Sequence, residues 1–192
     1  MIKKLFFFLN IFLIYLLSIS ISPADIKSNL INKLTETKTL TFSFKQKISD
    51  KEEMGNCFIK YPLLMKCNYQ NLKQKIIISN GKTVAIIKKK YKKIYIYPIK
   101  STPLFIILKK QEIINLIRKQ PPTEISANLI KFEFIDKKKN KLKILFDKNS
   151  LNFKGWETKD AYSNDVSFII NNLNINNQIV DSFFKIPKEE DL

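Results

Sequence analysis

From Thr39 onward the chain alternates. Leu40, Phe42, Phe44, Gln46 and Ile48 interleave with Thr41, Ser43, Lys45 and Lys47. That is the period-two pattern of a strand with one dry face and one wet face. The same alternation predicts strands at Gly55–Lys60, Leu64–Gln70, Lys75–Ser79, Thr83–Lys88 and Lys92–Tyr97. It returns at Asn128–Asp136, Leu142–Phe146, Leu151–Thr158 and Ala161–Ile170. Asn80-Gly81 is a short-hairpin signal, and Pro62 and Asp147-Lys148-Asn149 mark further turns. The run Lys137-Lys138-Lys139-Asn140-Lys141 reads as a charged turn. Asn171–Asn177 is polar and reads as a loop, and Phe183–Pro187 is a last apolar piece before an acidic tail.

Three segments break the period. In Asp25–Thr37, Ile26, Leu30, Ile31 and Leu34 share one helical face, with Ser22 and Asp25 as N-cap candidates. Leu104–Leu108 and Gln111–Lys119 read as two short helices, ended by Pro121-Pro122. About ten half-amphipathic strands with three helical pieces describe one strongly curved antiparallel sheet. The helices must cover its apolar face.

Ahead of these lies Met-Ile-Lys-Lys, an apolar run from Leu5 to Leu17, and a small-residue zone ending at Ala24. This is the layout of a cleaved secretory signal at residues 1–24, with the cut between 20 and 24. The run is short against the ~20 residues of a spanning helix. Residues 25–192 then form a single domain in the periplasm, where disulfides form.

Composition narrows the chemistry. There is no His among the 192 residues, which removes Ser–His–Asp and Cys–His catalysis and ordinary zinc sites. The three glycines build no phosphate loop. Asp147, Asp160 and Asp165 sit in or beside turns and are not spaced as a catalytic pair. No enzyme activity, metal or cofactor is expected. The net charge is +17, yet every basic residue except Arg118 is a lysine. Nucleic-acid readers lean on arginine, so no nucleic-acid partner is expected. The lysine-rich faces suit anionic membranes or acidic partner surfaces.

Cys57 and Cys67 lie symmetrically about Pro62, five residues on each side. In a hairpin centred there they become cross-strand neighbours with Cβ atoms ~4.5–5.5 Å apart, nearly close enough for a disulfide. A structural disulfide or two small buried hydrophobes is favoured over a redox dithiol, because the spacing is not CxxC.

These segments together resemble the periplasmic outer-membrane lipoprotein carriers of the LolA type. Phe44-Lys45-Gln46 is similar to the family's F-x-Q. Gly55 to Tyr69 resembles its G-x-L-x-x-x-R-P-x-x-F-R-W-x-Y hairpin. Ile77 to Val84 resembles I-V-S-D-G-x-T-L-W, and Thr102-Pro103 to Leu108 resembles a T-P-x-x-L-L helix start. Ser182-Phe183-Phe184-Lys185-Ile186-Pro187 resembles the F-x-F-x-x-P closing strand.

The resemblance implies an unclosed β-barrel with a helical lid enclosing a hydrophobic cavity, in a monomer. It implies acylated lipoproteins as cargo, received from an inner-membrane ATP-driven transporter and passed to an outer-membrane receptor. The candidate cavity lining is Phe42, Phe44, Met65, Tyr69, Phe132, Phe134 and Phe168, with Leu104, Phe105 and Leu108 closing from the lid. Tyr61 stands where the family has an arginine associated with holding the lid closed, Met65 stands at its Phe position and Cys67 at its Trp. On that basis Tyr61→Arg should tighten the lid and slow release. A carrier for a glycolipid or phospholipid on the same fold is the alternative. A cell-envelope protein that binds anionic polymers through its lysines is a third reading.

Overall fold

In the computed structural model, residues 23–135, 141–160 and 162–192 are described. The expected export signal, apart from Pro23 and Ala24, the N-cap candidate Ser22, Ala161 and most of the 137–141 turn lie outside them. Helix α1 spans Pro23–Glu36 and places Asp25 inside its first turn rather than at its cap. Six strands follow: β1 Thr39–Ile48, β2 Lys51–Lys60, β3 Leu64–Tyr69, β4 Lys75–Asn80, β5 Thr83–Lys88 and β6 Lys93–Pro98. Helices α2 (Leu104–Leu108) and α3 (Lys110–Lys119) come next. Then come β7 Glu124–Ile125, β8 Leu129–Ile135, β9 Lys141–Asp147, β10 Phe153–Lys159 and β11 Asp165–Ile175.

The eleven strands form one antiparallel sheet in the order β6-β5-β4-β3-β2-β1-β11-β10-β9-β8-β7. It does not close, and β6 and β7 are its two edges. The chain crosses from one edge to the other through α2 and α3, which carries these helices over the concave face.

Period two puts Phe42, Phe44, Ile59, Met65, Ile130, Phe132, Ile144 and Phe168 on that face, all buried. Leu30 and Leu34 of α1, and Ile113, Ile114 and Ile117 of α3, complete the same core. Each such side chain contributes ~1.5–3 kcal/mol on burial, so the lid is held mainly by its apolar faces. Cys57 and Cys67 pair across the β2–β3 ladder and are joined in a disulfide within this core.

Two expectations need correction. Asn171–Asn177 is not simply a loop: β11 runs on to Ile175, pairing Asn174 with Thr41 and Ile175 with Leu40. A bulge interrupts the ladder there, with Asn172 at φ 50°. Asparagine tolerates this left-handed conformation, so a polar run continues a strand while Leu173 and Ile175 still reach the core. The second correction concerns Phe183–Pro187, which adds no strand. Asp181–Phe184 is a 3-10 turn, and the segment runs across the outer face of the sheet instead. Phe183 packs edge-on to Phe58 of β2 with ring centroids 5.0 Å apart, beneath Lys66 Nζ. Ile186 and Leu192 join Ile78, Ala85 and Ile87 in a second, smaller apolar cluster. Lys60 fixes the start of this strap through the Ile179 carbonyl, which accepts at 2.7 Å, and the Asp181 carboxylate. Lys60 and Lys66 therefore line a covered face, not the open solvent that their parity suggests.

Gly155 decides how β10 presents its side chains. Its φ of +138° and the register shift between Phe153 and Gly155 mark a bulge. Without it Phe153 and Trp156, three apart, would point to opposite faces. A Cβ at Gly155 would lie 1.9 Å from the Phe168 carbonyl oxygen. Gly155→Ala is expected to lower unfolding stability by about 2–3 kcal/mol, read from the urea midpoint. Gly81→Ala, in a roomy turn at φ +93° with only Leu64 Cδ2 near at 3.8 Å, should lose about 1 kcal/mol.

Candidate functional site

The concave face carries a continuous row of rings. Phe132 meets Phe146 edge-on at 6.2 Å between centroids, and Phe146 lies 6.0 Å from Phe153. Phe153 stacks on Trp156 at 6.0 Å, and Trp156 on Phe168 at 3.9 Å. Phe168 stacks on Phe44 at 4.5 Å, and Phe44 meets Tyr69 at 4.8 Å. The row thus crosses from β8 to β3. Strand β2 lies in its path and contributes no ring there. At the crossing stands Gly55, paired with both Phe44 and Tyr69. A Cβ on Gly55 would come within 2.8 Å of Phe44 Cζ and 2.1 Å of the Asn68 carbonyl oxygen. The glycine lets the Phe44 ring lie flat across β2 and reach Tyr69.

Tyr69 ends the row with a polar tip. Its Oη donates to Gln46 Oε1 at 2.8 Å, so the buried hydroxyl is satisfied. Burial, with the Glu53 charge adding to it, pushes the phenol far above its ordinary range. Lys75 Nζ sits 3.7 Å over the ring from the solvent side.

Every proposed lining residue lies in one cluster. Phe42, Phe44, Met65, Tyr69, Leu108, Phe132 and Phe168 are buried in it, and Leu104, Phe105 and Phe134 pack half-buried against it. Trp156, Phe146 and Phe153 belong to the same row and are absent from the lining read from sequence. The bulge hides Trp156 and Phe153, since plain parity sends them to opposite faces. Phe146 shares parity with Leu142 and Ile144 and is open to the same argument as Phe132. Beneath the helices these side chains pack in one apolar cluster. A cleft of about 10 Å³ lies between α1, Tyr61, Phe153 and Leu173. A larger concavity, about 590 Å³, lies elsewhere, against Lys47, Lys141, Lys143, Glu157 and Lys159.

Few polar contacts fasten the lid. Lys110, at the start of α3, donates from Nζ to the Thr35 and Thr37 carbonyls at 3.0 and 2.8 Å. These are carbonyls at the C-terminal end of α1, where the helix dipole is negative. Lys27 of α1 returns the contact, donating to the Arg118 carbonyl of α3 at 3.1 Å. The two helices therefore cap each other with lysines. Below them the β2–β3 turn holds α2: Leu63 N–H donates to the Leu108 carbonyl at 3.0 Å. The Leu63 carbonyl accepts from the fully buried Ser79 hydroxyl at 2.5 Å.

The protein-family model described as "Outer membrane lipoprotein carrier protein LolA" matches residues 35–187. The chain belongs to the LolA family. No curated protein matches it in sequence. Its fold is similar to an uncharacterized conserved protein from Thermus thermophilus, with a TM-score of 0.52 and 8% identity over 87% of this chain and 96% of that one. A LolA superfamily protein from Nitrosomonas europaea superposes at a TM-score of 0.44 with 7% identity, covering 83% and 97%. LprF from Mycobacterium bovis does so at 0.45 with 11% identity, covering 82% and 97%.

By the resemblance drawn from the sequence, Tyr61 stands where the family has an arginine, and in this structure a cation approaches it from α3. Lys110 Nζ stands 5.6 Å from the Tyr61 ring centroid. Burial pulls the Lys110 ammonium down and pushes the Tyr61 phenol up, so the phenol stays neutral and offers its ring to the cation. Nothing in the sequence singles out Lys110 among so many lysines. This geometry reverses the expectation for Tyr61→Arg. A guanidinium at 61 would face the Lys110 ammonium and compete for the same carbonyls, which should loosen the lid. Amide hydrogen exchange in α1 and α3 is expected to quicken about tenfold in Tyr61→Arg and in Lys110→Met, roughly the worth of one or two hydrogen bonds. Combining the two substitutions should recover part of the protection, because the like-charge clash is gone.

Proposed function

We propose that this chain is an exported carrier that shields the acyl chains of lipoproteins and ferries them between the two membranes of a cell envelope. Residues 1–24 serve as the signal peptide and residues 25–192 as the carrier domain in the periplasm. The observation that carries the reading is an apolar, aromatic concave face beneath helices fastened by few polar contacts. Each methylene moved from water to such a face contributes ~0.8 kcal/mol, so several acyl chains bind strongly. Room for them requires α1, α2 and α3 to move off the sheet. That motion costs the bonds of Leu63 with α2, of Gln120 with β8 and of Asn176 with the end of α1, and leaves strand pairing intact. Flat rings and the flexible Met65 side chain accept chains of variable length.

On this reading the protein is a carrier rather than an enzyme and needs no cofactor. It receives cargo from an inner-membrane ATP-driven transporter and gives it to an outer-membrane receptor, acting as a monomer. The disulfide between Cys57 and Cys67 stiffens the hairpin on which α2 rests.

Adding the purified protein to spheroplasts that display a labelled triacylated lipoprotein should yield a stoichiometric soluble complex by gel filtration and mass spectrometry. Phe168→Asp together with Phe44→Asp should abolish it if the variant remains folded by circular dichroism. Absence of the complex, with a glycolipid or phospholipid co-purifying instead, would transfer the role to a lipid carrier on the same fold.

A further inference from the structure

Lysine is spread over the whole surface, but its pairing is not. On the outer face of β1, β2 and β8 to β11 the lysines have acids beside them: Lys45 with Glu52, Lys131 with Glu124, Lys143 with Glu157 and Lys159 with Asp165. One end of the sheet differs. The β3–β4 turn, Asn71–Gln74, and the β5–β6 turn, Lys89–Lys92, lie side by side, tied by Lys89 N–H donating to the Gln74 carbonyl at 3.4 Å. They gather Lys73, Lys75, Lys88, Lys89, Lys90, Lys92 and Lys93. Among the described residues, Lys75 alone of these has an ion-pair partner, Glu53. The Lys75 ammonium is lowered chiefly by burial, with Lys73 and Lys88 pushing the same way against the Glu53 contact, which places these charges within reach of one another. The acidic C-terminal turn Glu189–Asp191 also lies near: Glu189 Oε1 accepts from the Ile94 N–H at 2.9 Å, and Leu192 after it joins the apolar cluster that includes Ile94.

The same tip exposes apolar side chains. Leu72 is 89% exposed and Tyr91 53%. Leu72 is not on a slack loop. Asn71 Nδ2 donates to Glu53 Oε1 at 2.8 Å, and Asn71 Oδ1 accepts from the Lys75 N–H at 3.2 Å. The turn is thus pinned on both sides of an outward leucine.

We propose that this pair of turns is a docking tip for the surface of an anionic phospholipid bilayer, with the lysines at headgroup level and Leu72 and Tyr91 entering the interface. The chemistry favours a bilayer over other polyanions. Diffuse headgroup charge needs no bidentate fork, so lysine serves as well as arginine. An acidic polymer rewards the charges, but gives an exposed leucine nothing to enter. Tyrosine is at home at a membrane interface, and lysine stems reach past apolar surface to keep their charge in water. The tip lies at the opposite end of the strands from the Tyr61–Leu63 turn that holds α2, so docking leaves the lid contacts free. The proposal stands apart from the carrier reading and survives if that reading fails.

Co-sedimentation of the purified protein with vesicles tests it. Vesicles of phosphatidylglycerol and phosphatidylcholine should bind the protein, pure phosphatidylcholine vesicles should not, and added salt should weaken binding. Lys89→Glu, Lys90→Glu and Lys92→Glu together should weaken it by roughly tenfold or more. Lys100→Glu, Lys119→Glu and Lys185→Glu, a change of equal charge elsewhere on the surface, should have a far smaller effect. Leu72→Ser with Tyr91→Ser should weaken binding at unchanged net charge. Leu72→Trp should report insertion as a blue shift of its emission on anionic vesicles. Equal loss from both lysine triples would overturn the proposal in favour of unspecific attraction. Salt-sensitive binding that ignores Leu72 and Tyr91, with no shift at position 72, would overturn it in favour of an acidic macromolecular partner.

Discussion

A single sheet with one apolar face cannot stand in water, and this one does not close on itself. Most of the remaining architecture follows from that constraint. Because the edges β6 and β7 do not pair, the chain must travel from one to the other, and it does so across the concave face through α2 and α3. With α1 they cover the row of rings from Phe132 to Tyr69. The outer face of β2 to β5 is less polar than elsewhere, and the C-terminal strap covers it with Phe183, Ile186 and Leu192.

The ring row depends on two glycines acting through different physics. Gly155 supplies a positive φ, which shifts the register of β10 so that Phe153 and Trp156 share a face. Gly55 supplies empty space, which lets the Phe44 ring cross a neighbouring strand. A side chain at either position would divide the aromatic surface into patches. A continuous surface and a divided one bury similar area, but only the continuous one offers an extended chain an unbroken apolar track.

The lid is joined to the sheet in two unequal ways. Apolar burial of residues such as Ile113 and Ile117 is large and nondirectional, whereas the hydrogen bonds that tie the helices to the strands and turns, from Leu63 to Leu108, from Gln120 to Glu133 and from Asn176 to Glu36, are directional. On the proposed carrier reading, an acyl chain beneath the helices would replace the first kind of contact with another of the same kind. The second kind has no substitute, so it sets when the lid is shut. Lys110 of α3 sets a cation at this junction, against the ring of Tyr61 on the hairpin.

The alternation of Leu40, Phe42 and Phe44, repeated along the chain, determined most of the strands, their dry face and the need for covering helices. The symmetric placing of Cys57 and Cys67 about Pro62 determined that they would meet across a hairpin, because period two and a tight turn leave little choice of register. Such local patterns are legible since each depends on neighbours close in sequence. The bulges at Gly155 and Asn172 are not legible. One extra residue inverts parity, and nothing local distinguishes that from a turn. The C-terminal strap reads from its residues only as an apolar piece, and as a strand only through the family resemblance, because Phe183-Phe184-Lys185-Ile186 looks the same whether its partner is a backbone ladder or an apolar face. Lys110 is invisible among the lysines for a related reason. Its role comes from the carbonyls of a helix more than seventy residues away, and only tertiary packing brings them to its ammonium.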